Sequence, residues 1–176
     1  MAQDRDGLAL LRKAASRIPA GSTMHERIRK ALHGATEVGV HLGVFVEPFL
    51  DAILDGRKTI ESRFGVHRNA PFQRVRAGDF ILLKKSGGPV VGIAVARQAS
   101  FYELDQKMLE DIRNRFAARI YAEDDEFWAA RAEKRFATLI EIDEVSRIET
   151  LEIDKRDRRG WVTYSGRDGP CLAFAA

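Results

Sequence analysis

The stretch that decides the fold runs from residue 56 to residue 63 and reads Gly-Arg-Lys-Thr-Ile-Glu-Ser-Arg. Gly56 ends an apolar helical pattern and suits a left-handed helix end, where a side chain would be costly. The residues after it favour a strand, on which Glu61 and Arg63 are two positions apart and point to one face. Lys58 lies in the preceding turn and can reach the same mouth. The spacing predicts a cleft where a lysine, a carboxylate and an arginine converge.

Short strands surround this segment on both sides. The apolar and β-branched patterning predicts strands at residues 40–46, 59–64, 80–84, 90–99, 138–143 and 161–164. A helix of about eight residues or fewer fits between the first two strands, which is short for a parallel crossover. Short strands with one early helix predict an α+β fold, a small and partly closed mixed β-barrel.

Two helical segments flank or interrupt the strands. Residues 1–36 carry two apolar stripes at helical spacing and predict an αα-hairpin extension, in which Thr23 and Glu26 form a capping box. We expect this hairpin to pack on the barrel, and a dimerisation arm is the alternative. A helical insertion is predicted at about residues 103–135, with Asp124 or Asp125 capping its second helix. The remaining residues, 37–176, are predicted to form one domain.

Composition excludes several classes of protein. Of 176 residues, 45% are apolar and 31% charged, an ordinary globular mixture, and no apolar run is long enough to span a bilayer. The N-terminus lacks the apolar core of a signal peptide, and Cys171 has no partner for a disulfide. We therefore expect a cytoplasmic protein without membrane contact. His41 and His67 lack metal-ligand spacing, so neither a metal nor another cofactor is expected.

Basic residues are concentrated near the C-terminal end. The net charge is only +3, but residues 155–159 carry four positive charges against one negative. Such a patch suits a phosphate-bearing partner, although a solvated loop is the alternative. Trp161 follows Arg158 and Arg159 directly, so it can stack on a nucleobase or close the barrel as a buried side chain.

The motif resembles that of a known family. Residues 56–63 match the GxKxxExR signature of the ASCH domain at Gly56, Lys58, Glu61 and Arg63. The strand and short helix before it, the Gly-Asp turn at residues 78–79 and the ending at residues 137–161 are similar too. The resemblance covers roughly residues 40–164. It implies a PUA-like barrel, a fold used to bind RNA, with the signature residues lining a cleft between barrel and early helix.

Some bacterial ASCH proteins resemble enzymes. One group removes the acyl group from N4-acetylcytidine with a lysine, a threonine and a glutamate, and others have been proposed as ribonucleases. Lys58 stands at the lysine position of this resemblance, but Glu61 replaces the threonine. Residues 93–96, where the glutamate is expected, read Ile-Ala-Val-Ala. The resemblance therefore carries over only one of three catalytic groups.

Two hypotheses follow for function. In the first, the chain binds RNA, a nucleotide or a modified nucleoside. Glu61 then accepts from a base amino group, and the phosphate contacts come from Lys58, Arg63, Arg158 and Arg159. In the second, the chain is a metal-independent hydrolase with Glu61 as general base and Lys58 stabilising the transition state. The alternative to both hypotheses is that Glu61 and Arg63 simply form an ion pair on a solvated strand face. We favour binding, because no second catalytic acid is evident.

Overall fold

The computed structural model describes residues 2–34, 38–155 and 158–165. Its elements, in chain order, are α1 (Ala2–Ala15), α2 (Thr23–Leu32), β1 (Val40–Phe45), α3 (Phe49–Leu54), β2 (Ile60–Gly65), β3 (Phe80–Lys85), β4 (Val90–Glu103), α4 (Gln106–Ile120), α5 (Asp125–Ala129), β5 (Phe136–Leu151) and β6 (Trp161–Ser165). The predicted α+β class and the order of its elements are confirmed.

The strands form one six-stranded mixed sheet in the order β2-β5-β4-β3-β1-β6. β1 runs parallel to β3, and the other neighbouring pairs are antiparallel. The sheet curls into a half-barrel whose two edge strands are β2 and β6. The signature segment therefore lies on an edge of the sheet, close to the gap in the barrel.

Two strands are longer than their predicted ranges. β4 continues past residue 99 to Glu103, and β5 spans Phe136–Leu151 rather than 138–143. The two strands stay paired along their length through register shifts near Val90, Val95 and Ala96. Past residue 143, β5 is a mixture of polar and apolar residues, and the bulges break its alternation. The period-two pattern that predicts a strand is therefore lost while the pairing persists.

The N-terminal hairpin packs against the sheet. Leu11, Met24 and Ile28 are fully buried in one apolar cluster with Leu42 of β1 and Ile93 of β4. These stripes face this chain's own core, which agrees with packing on the barrel. A dimer through the hairpin stays a prediction. So does the domain division, because its boundary at residue 36 lies outside the described residues.

The cap of α2 differs by one residue from the predicted one. The side chain of Ser22 accepts a hydrogen bond from the backbone nitrogen of His25 at 3.2 Å, so Ser22 rather than Thr23 is the N-cap. Glu26 turns outward and pairs with Arg29 instead of reaching back to the helix start. A serine and a threonine in succession offer the same hydroxyl chemistry, and the sequence alone does not choose between them.

The helical insertion between β4 and β5 covers the outer side of β2. Asp105 caps α4 and Asp124 caps α5, each accepting from a backbone nitrogen at 2.7 Å. Ile112 and Trp128 are buried in an apolar cluster that includes Ile60 of β2. The insertion is therefore packed against the signature strand and places its last turns beside the cleft.

Candidate nucleotide-binding cleft

A cleft of about 460 Å³ opens between the end of β1, α3, β2 and the turn after α5. Its lining residues are Val44, Phe45, Val46, Phe49, Lys58, Glu61, Ser62, Arg63, Phe64, Phe127, Ala130, Arg131 and Lys134. Three of the six predicted site residues, Lys58, Glu61 and Arg63, meet here. The volume falls within the range of about 300–1,000 Å³ that is usual for small-molecule sites.

Gly56 sets the path of the chain into the cleft. Its φ of 75° is in the left-handed region, and it directly follows Asp55, the C-cap residue of α3. The backbone nitrogen of Lys58 then donates to the carbonyl of Ala52 at 2.9 Å. This tight helix end points Lys58 inward rather than into solvent, so the glycine role that the motif predicts is confirmed by its geometry.

Lys58 lies at the floor of the cleft with 3% of its surface exposed. Its Nζ donates to the carbonyl oxygens of Ile60 and Ile120, both at 2.8 Å, and lies 3.4 Å from Oε2 of Glu61. Burial lowers the pKa of Lys58, and the negative charge of Glu61 opposes that shift. The ammonium thus has a partner in each of three directions, instead of moving freely at the mouth as the sequence suggests.

Glu61 is the buried carboxylate of the cleft. It is 4% exposed, and its Oε1 accepts from Nε of Arg63 at 2.6 Å while Oε2 faces Lys58. The alternative of a pair on a solvated strand face is therefore wrong for Glu61. A carboxylate offers about four lone-pair positions. These two partners use fewer positions than that, so a carboxylate that lines the cleft retains acceptor capacity.

Arg63 joins the two edges of the sheet. From β2, its Nη2 donates to the carbonyl of Val44 in β1 at 2.9 Å, and its Nη1 donates to the carbonyl of Gly160 before β6 at 3.1 Å. The guanidinium also lies over the rings of Phe45 and Trp161, at 4.9 and 5.3 Å from their centroids. Side-chain bonds thus cross the gap between the edge strands. We call this set of contacts the seam.

The walls of the cleft include groups that sequence reasoning missed. Phe49 lies under the ammonium of Lys58 at 5.5 Å. On the opposite wall the guanidinium carbon of Arg131 lies 3.3 Å from the ring centroid of Phe127, and Lys134 lines the rim. An arginine four residues after an aromatic residue, across the end of a short helix, is the sequence signal that could have found this stack. The resemblance draws its site residues from the signature segment and not from the insertion, so this stack was missed.

The C-terminal predicted site residues lie outside the cleft. Trp161 is 3% exposed and its Nε1 donates to Nδ1 of His41 at 3.4 Å, as expected of a side chain that closes the barrel. One edge of Trp161 reaches a smaller pocket of about 240 Å³ on the far side of Arg63. Arg158 and Arg159 are exposed, and neither lines the cleft. Residues 156–157 of the basic loop lie outside the described residues.

His41 belongs to a separate buried network. Its Nε2 lies 3.1 Å from Oδ2 of Asp79, whose other oxygen accepts from the backbone nitrogen of Gly39 at 2.7 Å. This network ties β1 to the turn before β3. Across the described ranges, no three histidine, cysteine, aspartate or glutamate side chains group so as to hold a metal ion. In those same ranges, no helix is both long and apolar enough to cross a membrane.

Several solved structures have an architecture similar to that of this chain. The crystal structure of an ASCH protein from Zymomonas mobilis matches with a TM-score of 0.52 and 17% identity, over 65% of this chain and 73% of that one. Two single-residue variants of that protein match with TM-scores of 0.51 and 0.50, each 16% identical over 65% of this chain, and over 76% and 74% of theirs. No sequence-family profile and no curated protein matches this chain. At these identities the likeness establishes the fold.

Proposed function

We propose that this chain, whose fold is that of an ASCH domain, binds a nucleobase in its cleft, as part of a nucleotide or of RNA. The buried carboxylate of Glu61 carries the proposal. It is held by Lys58 and Arg63, lines the cleft and retains acceptor capacity beyond these two partners. A base amino group is a donor that such a carboxylate recognises.

Aromatic side chains around Glu61 support the same ligand. Phe45, Phe49, Phe64 and Phe127 line the cleft together with Glu61, so a flat ring finds aromatic contacts in the same cleft as the carboxylate. Stacking of a base on an aromatic side chain contributes about 1–3 kcal/mol, and it tolerates any base. Glu61 then supplies the selection, because a base without an amino group covers the remaining acceptor positions of the carboxylate without giving them a hydrogen bond.

Binding by calorimetry to the four ribonucleosides and to a roughly ten-nucleotide single-stranded RNA tests the proposal. We expect Glu61→Gln to weaken binding of amino-bearing bases about tenfold or more. The difference in affinity between these bases and uracil should become smaller. Glu103→Gln is the matched control, because Glu103 forms an exposed ion pair with Arg68 away from the cleft. Equal affinities of all bases for the natural chain would contradict the role of Glu61.

A second candidate function rests on Lys58. Its lowered pKa and its 3.4 Å distance from Glu61 are features of an amine that exchanges a proton in catalysis. A hydrolase acting on RNA or on an acylated nucleoside would use this pair. Incubation of the chain with RNA and with N4-acetylcytidine decides between the two functions: turnover that Lys58→Met abolishes supports the hydrolase, and intact substrates after binding support the binding module.

A further inference from the structure

We infer that the ligand of the cleft carries a phosphate group, and that Arg131 and Lys134 of the helical insertion hold it. This inference rests on the proposed function and deepens it. It moves the phosphate contacts away from Lys58, Arg63 and the basic loop at residues 155–159. The reason lies in which cations of the cleft still have hydrogen-bond donors to give.

The two cations at the floor have most of their donors engaged. The ammonium of Lys58 has three N–H groups, and two carbonyl oxygens and Glu61 lie in reach of them. Arg63 uses its Nε on Glu61 and both of its terminal nitrogens across the seam. An anion that took these donors would have to break bonds that hold Glu61 and the edge strands. The floor therefore binds a neutral, donor-bearing edge rather than a phosphate.

Arg131 is held in place but keeps free donors. Its guanidinium is fixed flat on Phe127, and Nη1 donates to the carbonyl of the same residue at 2.6 Å. Its Nε is buried and has no hydrogen-bond partner among the described residues. Desolvation lowers the pKa of Arg131, while the charges of Asp124 and Glu61 oppose that shift. A stacked, partly desolvated guanidinium with unused N–H groups is a preorganised anion contact.

Lys134 lies beside Arg131 on the same rim. The turn that follows α5 is closed by a hydrogen bond from the backbone nitrogen of Lys134 to the carbonyl of Arg131 at 3.0 Å. The side chain of Lys134 is half-buried in the cleft wall and forms no ion pair within the described residues. Two cations with available donors thus stand opposite the buried carboxylate. The rim offers cations with donors to give, and the floor offers a carboxylate acceptor between two cations whose donors are mostly engaged. The phosphate and the base amino group of a nucleotide complement these two ends.

Isothermal titration compares each ribonucleoside with its 5′- and 3′-monophosphates, with inorganic phosphate alone and with the single-stranded RNA. We expect at least one monophosphate to bind about tenfold or more tightly than its nucleoside, since charge-assisted hydrogen bonds are the strong ones. Arg131→Gln and Lys134→Gln should each remove most of that gain. Lys134→Gln also guards against misfolding, because Lys134 has no stacking role. Arg135→Gln is the matched control, an exposed arginine next in sequence that does not line the cleft.

The possible outcomes distinguish this inference from the proposed function on which it rests. Nucleosides that bind as tightly as their monophosphates, or a phosphate gain that survives both variants, would overturn the inference and leave base binding intact. Tight binding of RNA alone, with a salt dependence that both variants reduce, supports it and identifies the strand as the source of the phosphate. No binding of nucleoside, monophosphate or RNA would reject both proposals.

Discussion

At the floor of the cleft, Glu61 lies between two cations and is almost wholly removed from solvent. A buried charge of this kind is stable only while its partners remain, because an unpaired ion in the interior carries a large desolvation cost. The three side chains therefore act as one unit. The Lys58 ammonium holds the turn and the insertion, Arg63 holds the edge strands, and the single carboxylate of Glu61 pairs with both.

Loss of the central charge should destabilise the fold. We expect Glu61→Gln to lower the free energy of unfolding by about 3–5 kcal/mol, the usual cost of breaking a buried ion pair by removing one partner. Urea denaturation followed by circular dichroism measures it. Glu103→Gln removes a carboxylate of an exposed pair and should change stability by less than about 1 kcal/mol. Equal effects of the two substitutions on the free energy of unfolding would contradict the conclusion that Lys58, Glu61 and Arg63 act as one unit.

Lys58 should also make stability depend on pH. Burial lowers its folded pKa below the ordinary value of 10.5, so between the two values the unfolded chain holds a proton that the folded chain has lost. The cost of charging Lys58 is therefore present at neutral pH and is relieved as the pH rises toward 10.5. We expect urea denaturation to show that the natural chain gains stability relative to Lys58→Met as the pH rises through the lowered pKa of Lys58 toward 10.5. Lys13→Met, on the exposed face of α1, is the control variant for the same measurement.

Prediction from sequence worked for the signature residues where the local backbone alone decides. The positive φ of Gly56 and the shared face of Glu61 and Arg63 follow from helix ends and strand parity. The environment of Lys58 does not follow, because the carbonyl it contacts at Ile120 lies 62 residues further along the chain. A side chain in a turn has no fixed parity, and only the packing of the insertion brings that carbonyl to it.

Among the elements, the N-terminal hairpin and the helical insertion differ in how well sequence describes them. Amphipathic stripes predict both, since burial of an apolar face is a periodic requirement. Which part of the sheet each helix covers depends on contacts between residues that are far apart in the sequence. Patterning therefore missed that the insertion supplies a wall of the cleft, through Phe127 and Arg131, although it predicted that helices stand there.

The hairpin should contribute to the stability of the barrel. Leu11 of α1 is fully buried in the cluster shared with β1 and β4. We expect Leu11→Ala to lower the free energy of unfolding by about 2–5 kcal/mol, as for other large-to-small changes in a core. Thermal and urea denaturation measure the change. Lys13→Ala on the exposed face of the same helix should have an effect below about 0.5 kcal/mol. A hairpin that detaches freely would make the two variants alike.

For the molecule as a whole, the seam determines whether the half-barrel stays closed. Backbone ladders hold the six strands in order, but the described edge strands β2 and β6 do not pair with each other. Arg63 spans that gap with hydrogen bonds to Val44 and Gly160. Such cross-connections are invisible in a sequence, because they depend on how strongly the sheet curls.

Shortening the connection should open the seam. Lysine keeps the charge beside Glu61 but lacks the planar fork that reaches two carbonyls at once. We expect Arg63→Lys to cost about 1–3 kcal/mol and to speed amide hydrogen exchange in β2 and at the start of β6. Exchange measured by mass spectrometry reads both strands. Arg68→Lys, at an exposed pair, should leave exchange there unchanged, and unaltered protection in Arg63→Lys would contradict the role of the seam.

Because Arg63 of the seam also lines the cleft and pairs with Glu61, ligand occupancy and closure of the half-barrel are thermodynamically linked. A ligand that binds only when Glu61 is held in place adds its binding free energy to the closed form, about 2.7 kcal/mol at a hundred times its Kd. The melting temperature should then rise with the logarithm of ligand concentration, and the edge strands should gain more protection than the hairpin. The edge strands would thus be held together more tightly when a ligand occupies the cleft.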